Sequence, residues 1–453
     1  MALRTKGGAP VELRPEQADA VTWMAGREVV EPHGGVLADE MGMGKTYIMA
    51  ALIQRAELWP TLVVVPKSTI WEWAGVLARV VDQRAVVVSR ASSAPVSRDA
   101  QLVLTTLSMF NSPKGVPEAL SKRVWGRVAV DEAHVIKNPC SALHRALCAL
   151  KAQSKWALTA TPVHNVVGDL LALSKFAGLP TQDVALAREL MLRRVHEPTA
   201  LPPLLRQDVR LELLFDEERA LSEAAERELA AKGAEASKPR FMELVLRCRH
   251  ATTHPAVFHA SMAAKKGLDD DAALTHETAA YAARKAPAGK STKLDFLCED
   301  LAAAAAAGEK SVVFCEWTDE MAVVRAMLEA RSLQCVHIDG AQSIGERQEA
   351  VHQFNLADGA DAMLLQMQCG ACGLNLQAAS RVYLLRPHWN PAVEMQAVGR
   401  AHRSGQTRAV TVKRLVAIGT VDETLFLDRQ TRKLKVIEDV VGQGTVVRKD
   451  AVV

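Results

Sequence analysis

Residues 37–46 read LADEMGMGKT, from Leu37 to Thr46. An apolar run, Gly34 to Leu37, leads in, and a segment of helical character, Tyr47 to Leu58, leads out. Glycines ahead of a Lys-Thr pair let backbone N–H groups approach phosphates more closely than any Cβ permits. In that reading Lys45 reaches the β- and γ-phosphates of a nucleotide, and the Thr46 hydroxyl holds Mg²⁺. The strict pattern G-x-x-x-x-G-K-[ST] is not met, because Asp39 stands where its first glycine belongs. What remains is the shorter A-x-x-x-G-x-G-K-T, with Asp39, Gly42, Met43 and Gly44 forming the loop. A surface Gly-Lys turn uses the same letters, so the surrounding chain has to decide.

Upstream, Leu13-Arg14-Pro15-Glu16-Gln17 opens a helical pattern continued by Val21, Trp23 and Met24. The amide of Gln17 carries both a donor and an acceptor and so can pair with an adenine edge, although a helix-start glutamine is often merely exposed. Downstream, short β-rich runs alternate with helix-length intervals: Thr61–Val65, Val86–Val88, Leu102–Thr106, Val128–Val130 and Ala157–Thr159. That rhythm predicts a mostly parallel sheet flanked by helices, with ligands at the carboxyl ends of the strands. There, Val128–Val130 runs into Asp131-Glu132-Ala133-His134. Opposite a Lys-Thr phosphate loop, Asp131 is placed to hold Mg²⁺ and Glu132 to orient or deprotonate a water. Thr159 and Thr161, at the next strand end, suit a coupling role, and Thr105 and Thr106 could donate to backbone phosphates. The acidic pair also reads as a solvated turn, and Leu158 to Pro162 as a strand end plus turn.

At 453 residues the chain is long enough for two or three domains. Its net charge of +3 does not by itself argue for nucleic acid, so any binding track must be a local patch. Eight scattered cysteines fit a reduced, intracellular compartment. No apolar run approaches the ~20 residues of a membrane span, and no secretory signal is expected. The alanine run Ala302 to Ala307 lies among Glu299, Asp300 and Glu309 and reads as a surface helix.

From about residue 181 the strand signals fade. Met191-Leu192-Arg193-Arg194 looks like a helix end, and Leu201-Pro202-Pro203 breaks the chain. Lys285 to Lys293 has the composition of a linker. The predicted division is a first lobe over 1–200, a helical insert and hinge over 201–287, and a second lobe with a terminal helix over 288–453. The second lobe repeats the α/β rhythm at Ser311–Cys315, Cys335–Ile338, Met363–Met367, Val382–Leu385 and Val410–Leu415. Near its end, Gln396 precedes Arg400 and Arg403, which share a face if the segment is helical. Two such guanidiniums can stabilise charge on a transferring phosphoryl group, though R-x-x-R is also common on solvated faces. Cys369 and Cys372 form a lone C-x-x-C without a second pair to complete a zinc site.

Taken in order, these stretches resemble the superfamily-two helicase-like ATPases, and within them the Swi/Snf-type DNA translocases of the DEAH-box pattern. The resemblance is carried by LRPEQ (13–17), DEMGMGKT (39–46), VVVPKS (63–68), DEAHVIKN (131–138) and LTATPVHN (158–165). In the second half it is carried by VVFCEWTD (312–319), HIDG (337–340), GLNLQAAS (373–380), HWNP (388–391) and QAVGRAHRSGQ (396–406). The resemblance implies two RecA-like lobes with ATP and Mg²⁺ between them. Gln17 would read adenine, Lys45 and Thr46 would hold phosphate and metal, and Asp131 and Glu132 would carry metal and water. Arg400 and Arg403 would be arginine fingers beside Gln396. Thr161, the Gly373–Asn375 loop and Trp389 would couple hydrolysis to duplex DNA held by its phosphates.

Three positions depart from the family pattern: Ala371 where a glycine is usual, Gln366 where a serine is, and Arg386 where an acid is frequent. They bear on coupling rather than on nucleotide binding. Residues 201–290 contain Cys248 as their only cysteine, which excludes a zinc-binding RING insert there. The expectation is a monomeric, near-minimal motor that remodels contacts of DNA-bound proteins. The rivals are a strand-separating helicase on DNA or RNA and a non-catalytic DNA-binding scaffold.

Overall fold

The computed structural model describes residues 2–3, 11–55, 58–89, 97, 99–112, 115–163, 166–195, 201–264, 290–367, 374, 376–403 and 405–441. The chain forms two compact units, Met1–Glu197 with Lys433–Val453, and Pro198–Arg432.

The first unit is built on a seven-stranded sheet. Its strands are β1 (Gly34–Leu37), β2 (Thr61–Val65), β3 (Ala85–Val88), β4 (Leu102–Thr106), β5 (Trp125–Val130), β6 (Ala152–Leu158) and β7 (Met191–Leu192). They lie in the order β3-β4-β2-β5-β6-β1-β7, every pair parallel. β1, β2 and β4 are buried at every position, as strands covered on both faces must be. Alternation then divides them between two cores. Leu37, Val63, Val65 and Leu104 pack with Met24, Ile48, Leu52, Trp73 and Leu77. Val36, Leu62, Val64, Val103 and Val128 pack with Phe110, Leu147, Leu170 and Phe176.

β5 and β6 begin several residues before their apolar runs, and the reason is a buried polar cluster. Glu28, at the end of helix α1 (Pro15–Glu28), sits under the sheet. Its Oε1 accepts from Arg127 Nε at 2.6 Å, Trp156 Nε1 at 2.9 Å and Ser154 Oγ at 3.1 Å. Its Oε2 accepts from the same guanidinium at 2.7 Å. Arg127 also donates to Thr61 Oγ1 at 3.3 Å. Arg127 and Ser154 are fully buried. Polar letters therefore occupy interior strand positions because one carboxylate satisfies them together.

Met191–Leu192, expected as a helix end, is instead an edge strand beside β1. Its backbone satisfies Val36 and Ala38, whose N–H groups donate to Leu190 O and Leu192 O.

The second unit holds a six-stranded sheet with every strand pair parallel. Its strands are β8 (Leu204–Leu211), β9 (Lys310–Cys315), β10 (Cys335–Ile338), β11 (Ala362–Gln366), β12 (Ala379–Leu384) and β13 (Val410–Ala417). Their order is β8-β13-β12-β9-β11-β10. β8 corrects the expected helical insert at its start: the segment after Pro203 pairs along its whole length with β13. As an edge strand it carries Arg206, Gln207, Asp208 and Arg210, which hides the apolar alternation a buried strand would show. Helices Asp216–Lys232, Lys238–Ala251 and Pro255–Ala264 follow.

The expected linker also ends early. Ser291 caps helix Thr292–Ala306, and Lys293 is buried against Asp422. That helix buries Leu294, Leu297 and Leu301 ahead of the alanine run, and within the run Ala304 is buried while Ala303 and Ala306 stay exposed. Arg386, one of the departures, is buried too. It pairs with Glu320, donates to Thr253 Oγ1 at 2.6 Å and lies 4.1 Å over the Trp317 ring. Its neighbour Arg249 donates to Glu316 and to Pro387 O at 2.9 Å. An arginine at 386 thus comes with its own buried carboxylate and aromatic partners.

Candidate functional site

Helix α2 (Lys45–Arg55) starts on Lys45 itself, so the loop 38–44 runs from the end of β1 straight into a helix N-terminus. Gly42 and Gly44 both have φ of +83°. At Gly44 the left-handed backbone favours glycine, and a Cβ would stand 2.4 Å from Gln17 Nε2 and displace that side chain. Gln17 is bound into the loop: Nε2 donates to Met43 O at 3.0 Å, and Oε1 accepts from Arg14 N at 3.0 Å. Arg14 donates to Met43 O at 3.0 Å as well. Gln17 therefore holds the loop 38–44, with one side-chain donor and one acceptor already used by the protein.

Asp39 is fully buried, and its carboxylate is paired with Arg194, whose Nε donates to Oδ1 at 3.0 Å. Expected as part of the nucleotide cradle, its side chain anchors the loop to the segment after β7; its backbone carbonyl accepts from Lys45 Nζ at 2.7 Å. Arg193 donates to Ala38 O and Ala160 O, each at 3.0 Å. Arg14, Arg193 and Arg194 were not singled out from the sequence as site residues. The available signal was the apolar pair Met191–Leu192 ahead of two arginines, which fits a strand end as well as a helix end.

Asp131 and Glu132 leave the carboxyl end of β5. Asp131 Oδ2 accepts from Trp73 Nε1 at 2.8 Å and Oδ1 from Glu132 N at 2.9 Å. Burial and the neighbouring Glu132 carboxylate push the Asp131 pKa up to about 6. Glu132 holds a left-handed backbone at φ 48°, ψ 46°, a conformation that costs a non-glycine residue energy and that clusters at functional sites. Its Oε2 lies 3.2 Å from His134 Nδ1. Burial lowers the pKa of Lys45, opposed by the charges of Glu132, Asp39 and Asp131. The first unit thus brings Lys45, Asp131 and Glu132 within electrostatic reach of one another.

The residues expected to couple hydrolysis to DNA divide. Thr159 and Thr161 sit together at the end of β6, with Thr161 N donating to Thr159 Oγ1 at 3.1 Å. Thr105 does not reach the surface. It is fully buried and donates to Val88 O at 2.8 Å, tying β4 to β3. Thr106 is buried and shares a 2.8 Å hydrogen bond with Ser108. Neither hydroxyl is placed to donate to a DNA phosphate. Gly373, Asn375, Ala371 and the Cys369–Cys372 pair lie outside the described residues.

In the second unit, helix Pro391–Val398 carries Gln396 and ends before Arg400. Arg400 and Arg403 therefore lie in the turn beyond it rather than on a shared helix face, because the chain leaves the helix at Gly399. Gln406 fixes that turn by donating to Gln377 O, Ala379 O and Ala401 O at 2.9–3.1 Å. Trp389 meets Phe426 edge-on at 5.4 Å and carries Arg429 at 4.1 Å. Gln366 accepts from Gly340 N at 3.2 Å.

Known proteins resemble the chain along most of its length. The SNF2-related domain matches residues 16–185, and the Helicase conserved C-terminal domain matches residues 292–405. A "Probable global transactivator" of Orgyia pseudotsugata multicapsid polyhedrosis virus is 30% identical, covering 97% of this chain and 93% of the relative. The ISWI chromatin-remodeling complex ATPase ISW1 of Saccharomyces cerevisiae is 27% identical over 96% of this chain, which spans 41% of that protein. A DNA repair and recombination protein RAD54-like of Drosophila ananassae is 28% identical over 93% of this chain and 61% of its own length. The chain thus spans about half of these longer relatives. The viral likeness runs nearly end to end on both chains, and the chain belongs to the SNF2-related, SWI/SNF-type helicase-like ATPases.

Proposed function

We propose that this protein hydrolyses ATP while bound to duplex DNA and uses the cycle to move along the duplex and shift protein–DNA contacts. The observation that carries the reading is the gathering of Lys45, Asp131 and Glu132 at the carboxyl ends of β1 and β5, with their charges acting on one another. The names of the remodelling and repair relatives support the direction of the proposal.

Mg²⁺ fits the residues present. Asp131 resists ionisation because it is partly buried beside another carboxylate, and a divalent cation relieves that repulsion. Asp131 and Thr46 would hold the ion, which when bound neutralises charge on the β- and γ-phosphates. The backbone N–H groups at the start of α2 would meet phosphate, and Lys45 would add a positive charge there. Glu132 orients the attacking water and accepts its proton. Gln17 positions the loop beside the base. Arg400 and Arg403, with Gln396, are the second unit's residues that would stabilise charge on a transferring phosphoryl group. Thr159, Thr161, the Gly373–Asn375 loop and Trp389 relay the change to the DNA.

ATP turnover by the purified protein, measured alone and with duplex DNA, single-stranded DNA or RNA, tests this reading. Stimulation by duplex DNA is expected, with binding that weakens steeply as salt rises. Stimulation by single strands or RNA alone would replace translocation by strand separation. No turnover under any condition would leave a DNA-binding scaffold.

A further inference from the structure

We propose that Trp73 is a positioning residue for Asp131, its indole N–H fixing the carboxylate for the metal ion. The inference rests on the assignment of Asp131 to Mg²⁺ made above. Trp73 belongs to helix α3 (Ile70–Val80) and is 1% exposed, packed in the core with Leu77, Val63 and Ile48. A side chain so enclosed has few rotamers open to it, so its donor is a fixed point. Nε1 donates to Asp131 Oδ2 at 2.8 Å while Glu132 N donates to Oδ1 at 2.9 Å. One donor on each oxygen sets the plane of the carboxylate and leaves each oxygen a lone pair for another partner.

The chemistry of the donors matters as much as their geometry. Both are neutral. A guanidinium in the same place would hold the carboxylate equally well but would neutralise it, as Arg127 does for Glu28. An indole orients the group and leaves its negative charge to a cation. Partners beyond the ligands of a metal typically change its affinity by about 10–100-fold.

The test compares Trp73→Phe, which keeps a ring but loses the N–H, with Val76→Ala. Val76 lies on the same helix and in the same core but has no polar contact to make. Affinity for a fluorescent ADP is measured with EDTA and across a Mg²⁺ titration, alongside thermal unfolding and the Mg²⁺ dependence of turnover. For Trp73→Phe, metal-free affinity should stay within about 2-fold, while the Mg²⁺ needed for half-maximal tightening rises about 10-fold. Val76→Ala should lose thermal stability without changing the Mg²⁺ requirement.

Equal Mg²⁺ dependence in the two variants overturns the proposal. In that case Asp131→Asn separates the causes. If it loses Mg²⁺-dependent tightening, the function proposed above survives without Trp73; if it retains it, the metal assignment falls too. Should Trp73→Phe fail to fold, the indole N–H resonance of Trp73 in the parent chain gives the same answer. It should shift when Mg²⁺ is titrated into the ADP complex, and an unmoved signal overturns the proposal.

Discussion

Arg127 lies inside β5 and Asp131 just beyond its carboxyl end, on one short stretch of chain, yet their surroundings are opposite. Arg127 is fully buried and meets Glu28 through two donors, with Ser154 and Trp156 completing the carboxylate. Asp131 is less buried and meets two neutral donors, with Glu132 adding a second negative charge and Lys45 a single positive one nearby. One region has its charges matched within the fold. The other is held in geometry and left electrostatically incomplete, which suits a site whose counter-charges arrive with a ligand. The difference teaches that burial of charge is no guide to function until the partners are counted.

The largest test of this contrast is Lys45→Ala. Turnover should fall by at least about 10³-fold, measured as DNA-stimulated ATP hydrolysis, because the phosphate loop loses its full charge. A large loss of fold stability with turnover preserved would break the contrast.

Glu28→Gln comes next and acts at the other region. It leaves the Arg127 guanidinium buried without an anion, and breaking such a pair costs about 3–5 kcal/mol. Urea unfolding should show the loss, while turnover at low temperature in the folded fraction stays near the parent value.

Asp131→Asn should do the reverse and raise stability at pH 7. The folded pKa of Asp131, about 6, lies above its ordinary value of 3.8. The stability linked to its protonation is therefore present below about pH 4 and is lost as pH rises through about 6. The two-unit difference amounts to at most about 3 kcal/mol. Asparagine offers one acceptor to two donors and gives back about 1 kcal/mol. A net gain of about 1–2 kcal/mol above pH 6, shrinking towards pH 4, is the expected thermal-unfolding result. A stability loss at pH 7 would place Asp131 with the matched charges. The smallest effect is Ser154→Ala, which removes one of several donors to Glu28 and should cost about 1 kcal/mol in the same assay.

The parts legible in the sequence are those where chemistry and periodicity agree. β2 and β4 are uninterrupted apolar runs, and the glycine loop leads directly into α2. The parts that were not legible fail for physical reasons. Arg127, Ser154 and Trp156 break the apolar pattern of β5 and β6 because their partner, Glu28, is distant in sequence. β8 is an edge strand with charged letters and looked like the opening of a helical segment. Thr105 looked available at a strand end, but its hydroxyl is used to hold β3. Asp39 looked like loop lining, yet Arg194, delivered by a two-residue strand, takes its carboxylate. Each of these outcomes depends on a contact between residues far apart along the chain, which local pattern does not encode.

The pairing of β8 with β13 also has a consequence for how the chain is made. Asp208 and Arg414, joined across these strands, are 206 residues apart. At about 5–20 residues per second of synthesis, β8 waits roughly 10–40 s for its neighbour. It is an edge strand of the sheet, with β13 as its one neighbour among the described residues. Until residues 410–417 emerge, its backbone ladder is open to any other strand. Arrested nascent chains ending between these segments should therefore associate with holdase chaperones, and that association should drop once β13 has cleared the ribosome.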